Sequence, residues 1–142
     1  MVELMFLKKF HPDNNPDMEF FETIIGPKTT IYGRIATEVS LRIDGKVVGN
    51  IESVASKGGG LPTQIAIAIG EGALVTGDLR ANRILIAGSV QGNVYATERV
   101  ELLDGAKVIG DITYGEITIS KKVFHQGMMI SVSHGVEKIN LS

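Results

Sequence analysis

A five-residue phrase recurs along this 142-residue chain: apolar, any residue, Gly, polar, apolar. It reads Ile31-Tyr32-Gly33-Arg34-Ile35, Val47-Val48-Gly49-Asn50-Ile51, Val75-Thr76-Gly77-Asp78-Leu79, Val90-Gln91-Gly92-Asn93-Val94 and Val108-Ile109-Gly110-Asp111-Ile112. The glycines stand 16, 28, 15 and 18 residues apart. A near-fixed period of this kind marks a chain built of stacked, equivalent units. Such a stack has two open ends, and how they are satisfied becomes the functional question.

Between the phrases, apolar and polar residues alternate with period two, the signature of a strand. Examples are Val39, Leu41, Ile43; Ile65, Ile67, Ile69; Ile84, Ile86; Val100, Leu102; and Ile117, Ile119. Corners rich in Gly and Asp follow: Asp44-Gly45, Gly70-Glu71-Gly72, Ala87-Gly88 and Asp104-Gly105. Around each glycine, Ile31, Val47, Val75, Val90 and Val108 precede by two, and Ile35, Ile51, Leu79, Val94 and Ile112 follow by two. Side chains two apart share a face, so these ten residues are expected to form apolar ladders inside the stack. One coil cannot bury its inner face alone, whereas stacked coils share a continuous interior. Asp or Asn after the glycine is expected to bond its own backbone at the bend. Hairpins in a sandwich would run alternately in reverse. Here every repeat reads in one direction, which favours parallel stacking.

The expected fold is therefore all-β, a parallel β-helix of about six coils. Residues 1–22 form an N-terminal tail, whose Pro12, Pro16 and Asp/Asn residues are linker chemistry. Residues 53–64, SVASKGGGLPTQ, are read as a loop leaving one corner, because three glycines before Leu61-Pro62 cannot continue a strand. The coils are expected to run over 23–129, with 130–142 a tail or partial coil. The last repeat is degenerate. If Val123 matches Val108, His125 stands where a glycine belongs; if Gly127 is the repeat glycine, His125 points inward.

Composition narrows the chemistry. The chain has no cysteine, which removes disulfides, thiolate zinc sites and thiol nucleophiles. Net charge is −2, giving no general reason to bind nucleic acid. His11, His125 and His134 show no metal-ligand spacing, so no metal site is expected. Asp44, Asp78, Asp104 and Asp111 lack the Gly-Gly-x-Gly-x-Asp nonapeptide of calcium β-rolls. Gly58-Gly59-Gly60 is followed by no Lys-Ser/Thr and no helix start, so no phosphate-binding loop is assigned. No catalytic residue and no cofactor site is assigned. The apolar start lacks the charged leader and cleavage site of a signal peptide, and the expected location is the cytoplasm.

The chain resembles the bactofilins, bacterial polymer-forming cytoskeletal proteins. The resemblance rests on Thr23-Ile24-Ile25-Gly26, LRIDGKVVGNIES (41–53), IGEGALVTGDLRA (69–81) and VELLDGAKVIGDITY (100–114), and covers residues 23–127. It implies a right-handed β-helix with disordered tails that polymerises end to end without nucleotide. Many members carry a short apolar and basic membrane-targeting segment, and residues 1–10 resemble one. The departures from the family pattern are the insertion and the degenerate last repeat.

On this reading Met1, Val2, Leu4, Met5, Phe6 and Leu7 enter the inner face of the cytoplasmic membrane, while Lys8 and Lys9 meet anionic head groups. Each such lysine is worth about 1 kcal/mol. Ile117, Ile119, Val123 and Phe124, in a final coil that nothing covers, are the expected polymerisation contact. The expected partners are other copies of the chain, the membrane and further proteins such as cell-envelope or cell-shape factors. A left-handed hexapeptide-repeat acyltransferase is the rival from another class, with Ile69, Val75 and Ala81 six apart. That spacing fails at Val75, Val90 and Val108, and no histidine falls between Met18 and Phe124 to serve as a base. A monomeric β-helix binding module is the third reading.

Overall fold

The computed structural model describes residues 20–55 and 64–132. These form a parallel β-solenoid of six coils, each with three strands and three faces. Coil 1 is β1 (Thr23–Ile25), β2 (Thr30–Tyr32) and β3 (Ile35–Thr37); coil 2 is β4 (Leu41–Ile43), β5 (Lys46–Val48) and β6 (Ile51–Ser53). Coil 3 holds β7 (Ala66–Ile69), β8 (Leu74–Thr76) and the first half of β9 (Leu79–Ile86). β9 turns a corner to open coil 4, which continues through β10 (Ser89–Gln91) into β11 (Val94–Leu102). β11 likewise passes into coil 5, with β12 (Lys107–Ile109) and β13 (Ile112–Tyr114). Coil 6 is β14 (Glu116–Ile119), β15 (Phe124–Gln126) and β16 (Met129–Ser131).

Every strand pair is parallel and joins equivalent positions of successive coils. Register therefore aligns the inward side chains. On the second face Ile31, Val47, Val75, Val90 and Val108 stack in one file. On the third, Ile35, Ile51, Leu79, Val94 and Ile112 do so. On the first, Ile25, Ile43, Ile69, Ile86, Leu102 and Ile119 form another. β-branched side chains fit this pleated, two-sided packing. In coils 2 to 5 these residues are fully buried, whereas Ile31 and Ile35 of coil 1 are only partly so, having a neighbour on one side. Burial contributes about 1.5–3 kcal/mol per large residue before chain entropy is set against it.

The repeat glycines form a ladder of their own. A Cβ on Gly92 would collide with the carbonyl oxygen of Gly77 and stand 2.5 Å from its carbon, and φ there is +155°. Both observations demand glycine. The same collision recurs at Gly49, Gly77, Gly110 and Gly127, each against the glycine one coil earlier.

One sequence expectation changes, one open register is settled and one boundary moves. The Asp or Asn after the glycine does not bond its own bend. The Asn50 carboxamide oxygen accepts from the Asp78 N–H (2.9 Å), and the Asp78 carboxylate accepts from the Asn93 N–H (2.8 Å). Asn93 in turn accepts from Asp111 N–H, and Asp111 from Met128 N–H, both at 2.9 Å. The bond runs coil to coil because equivalent positions sit directly above one another, and each coil's oxygen meets the next coil's N–H. Of the two registers open for the last coil, the second holds: His125 pairs with Val108, so Gly127 is the repeat glycine and His125 faces inward. Its Nε2–H donates to the Gly110 carbonyl at 2.9 Å, satisfying a polar ring in an apolar file. Third, the insertion starts later than residue 53. Ser53 pairs with Thr37 in β6, and the Val54 N–H donates to the Thr37 carbonyl. The chain returns under control, with the Ile65 N–H on Asn82 Oδ1 (2.9 Å) and the Ala66 N–H on Ser40 Oγ (3.0 Å).

The polar ladder gives a test. Asp78→Ala leaves the Asn93 N–H without its acceptor and should cost about 1–3 kcal/mol, while Asp78→Asn keeps an acceptor and should stay near wild type. Urea unfolding followed by circular dichroism compares the two.

Candidate assembly surfaces

Among the described residues both ends of the solenoid are open. On every face the outermost strands, β1, β2 and β3 at one end and β14, β15 and β16 at the other, pair on one side only among the described residues. Unpaired edge N–H and C=O groups are templates for another chain.

The C-terminal end is strongly apolar. In the first-face file Ile86 and Leu102 are 0% exposed, yet Ile119 above them is 48% exposed. Ile117 and Val123 pack partly on the core from the same coil. Phe124 behaves differently from these three. Its partner across the ladder is Lys107, so it points outward on the second face rather than folding inward as a cap. Its ring is 52% exposed, with the Lys107 ammonium 5.8 Å from its centre. Ile117, Ile119 and Val123 thus form the end surface proper, and Phe124 forms its rim.

Met128, Met129, Ile130 and Val132 extend this surface and are all exposed. The sequence leaves 130–142 as a tail or partial coil; β16 runs through Ser131, and Met129 pairs inward with Ile112. The signal was a sixth copy of the phrase, His125-Gln126-Gly127-Met128-Met129, disguised by His in an apolar position and Met in a polar one. Met128 also ends the polar ladder: its N–H donates to the Asp111 carboxylate, but its side chain offers no acceptor to a further coil.

The N-terminal end is more polar. Ile24 and Tyr32 are exposed there, beside Thr23, Thr30 and Arg34. Arg34 occupies the Asp/Asn position and pairs instead with Glu52 of coil 2. The membrane-targeting residues Met1 to Lys9 lie outside the described residues. Among the described residues no group of three or more His, Asp or Glu side chains could hold a metal ion, and no helix is long and apolar enough to cross a membrane.

Among the described residues, then, the chain is a regular parallel solenoid whose two terminal coils pair on one side only. The family described as Bactofilin, polymer-forming cytoskeletal, matches residues 23–129, and the chain belongs to that family. It is similar to Bactofilin BacO of Myxococcus xanthus (strain DK1622), 32% identical over 108 residues, covering 74% of this chain and 75% of BacO. It is also similar to Bactofilin BacP of the same organism, 27% identical over 97 residues, covering 68% of this chain but only 36% of BacP. No solved structure matches the chain.

Proposed function

We propose that this chain is the subunit of a membrane-associated scaffold that assembles end to end and positions other proteins, such as cell-envelope or cell-shape factors. The observation that carries the reading is the uncovered last rung: a file of buried aliphatic residues runs through the stack and ends on the exposed Ile119. Edge pairing of a second subunit satisfies the open backbone and covers that rung in one step. The polymerisation contact is formed by Ile117, Ile119 and Val123, with Phe124 at its rim. If like ends meet, the contact is isologous, and a filament needs a second contact at the coil 1 end. Negative-stain electron microscopy with sedimentation tests this. Long assemblies are expected, and a monodisperse monomer at high concentration would refute the reading.

Residues 1–10 supply the attachment to lipid. One short segment binds marginally, but repetition along a polymer raises apparent affinity by about 10²–10⁴. Deleting residues 1–10 should abolish co-sedimentation with liposomes and leave assembly intact; a deletion variant that still pellets with vesicles contradicts the assignment. Assembly driven by backbone pairing and apolar burial needs neither nucleotide nor metal. Treatment with chelator and phosphatase should therefore leave the assemblies unchanged in a pelleting assay, and disassembly would reveal a bound group.

A further inference from the structure

The three faces of the solenoid differ on their outer sides. On the first, Ala66, Ala68 and Leu85 are buried, with Phe21 and Leu103 packed on them. The third carries charge that is matched nearby: Arg34 pairs with Glu52, and the Arg80 guanidinium lies 4.5 Å from the centre of the Tyr95 ring. The second face is exposed. Each of its six strands is three residues long, with the middle residue inward and the two flanking residues outward. Tyr32, Val48 and Ile109 stand in one outward file, at 79%, 44% and 37% exposure, with Thr76 and Gln91 between them. Lys46, Leu74 and Lys107 stand in the other, which closes on Phe124 at the end rim.

No strand of this face contains Asp or Glu. Its outward charges are Lys46 in coil 2 and Lys107 in coil 5, both exposed. Carboxylates come only at the corners. Asp44 pairs with Arg42 at 3.1 Å, and Asp78 and Asp111 accept bonds from the next coil in the polar ladder. Glu71 and Asp104 then stand beside the face, against the exposed Lys28, Lys121 and Lys122 on the same corner. The face therefore presents cations, set among apolar side chains, to a flat partner.

We propose that the second face lies against an anionic bilayer surface when the subunit is held at a membrane. The proposal rests on the membrane reading above and adds which side of the solenoid meets lipid. Charge selects this occupant over a second copy. The lysines sit one coil in from each end. Two copies set face to face therefore bring lysine level with lysine, whether their axes run the same way or opposite ways, and like charges so placed repel. Area agrees. Six strands about 4.8 Å apart make a strip of about 24 Å by 10 Å, well below the roughly 800 Å² per partner of a stable protein interface. A lipid surface needs no matched relief, and the contact repeats along an assembly. The side chains suit that surface. Tyr32 sits at headgroup depth, the lysine stems carry their ammonium groups to phosphate, and Val48, Leu74 and Ile109 meet the acyl boundary. Each lysine adds only about fivefold in affinity, so the face orients a subunit that its membrane-targeting segment holds in place.

The chain lacks cysteine, so a single introduced thiol can carry a fluorophore. Thr76→Cys places it in the middle of the second face and Ala36→Cys on the third, both at exposed positions. Each labelled full chain is mixed with phosphatidylglycerol vesicles whose headgroups carry a nitroxide quencher. The Thr76→Cys label should be quenched and the Ala36→Cys label should keep its emission. Lys46→Gln with Lys107→Gln, both at the surface and checked for folding by circular dichroism, should lose the quenching and weaken vesicle binding by about tenfold or more. Vesicle binding with neither label quenched, or with both quenched alike, overturns the face and leaves the membrane reading standing. Failure of the full chain to bind the vesicles overturns the membrane reading and this inference with it. Shielding of the Thr76→Cys label that grows with protein concentration in the absence of lipid assigns the face to a second copy and also overturns it.

Discussion

Gly92→Ala should destabilise the solenoid by several kcal/mol, in a protein whose total stability is on the order of 5–15 kcal/mol. Two costs combine. The backbone at Gly92 has φ +155°, a region closed to L side chains except at a cost of about 1–3 kcal/mol. The added methyl also collides with the Gly77 carbonyl, an atom fixed by the strands on either side. Relief requires separating coils 3 and 4, which strips the Val75 and Val90 files of contact. Gly33→Ala is the matched control: φ is +131° there, but nothing stands within 4 Å of the new methyl, since among the described residues no coil precedes it. It should lose only the conformational part, about 1–3 kcal/mol. Urea midpoints of the two variants decide the matter. Equal losses would mean that the collision is relieved by a backbone shift and that close stacking is not what selects glycine.

That contrast shows what the sequence carries. A glycine that must pass beneath a neighbour's carbonyl recurs once per coil, so period and phrase are both visible in a one-dimensional string. The strand alternation is visible for the same reason, since side-chain period two survives in any register. The partner of Asp78 was not legible, because a bond to the next bend and a bond to its own bend use the same residue type. A second buried cluster, Ala66, Ala68, Leu85 and Ala87 on the outer side of the first face, left a trace that alternation alone passes over. Ile65-Ala66-Ile67-Ala68-Ile69 is apolar at every position, the mark of a strand covered on both faces. Counting its isoleucines finds the core, while its alanines mark the second covered side. The register of the last coil stayed open because His125 breaks the apolar code, and the Gly110 carbonyl 2.9 Å from its ring explains how it is tolerated.

Phe124→Arg should convert long assemblies into small species while leaving the coils folded. Phe124 lies outside the core, and its recorded ring contact is with Lys107, so its replacement removes little that holds coil 6 on coil 5. Exposed substitutions of this sort cost about 0.5 kcal/mol or less in stability. The consequence at the end surface is much larger. If the C-terminal ends of two subunits meet isologously, every contact receives two new guanidinium groups, each beside an existing Lys107. Like charges removed from water without partners cost several kcal/mol, more than one modest edge contact returns. Ile119→Arg tests the same surface from within, because Ile119 continues the file of Ile86 and Leu102. Circular dichroism should show retained β-structure in both variants, and sedimentation should show loss of the long species. Normal assemblies from a folded Phe124→Arg protein, with loss only in Ile119→Arg, would confine the contact to the inner rung and free the rim. Normal assemblies from both would move the contact away from coil 6, leaving Ile24 and Tyr32 at the opposite end to be tested next.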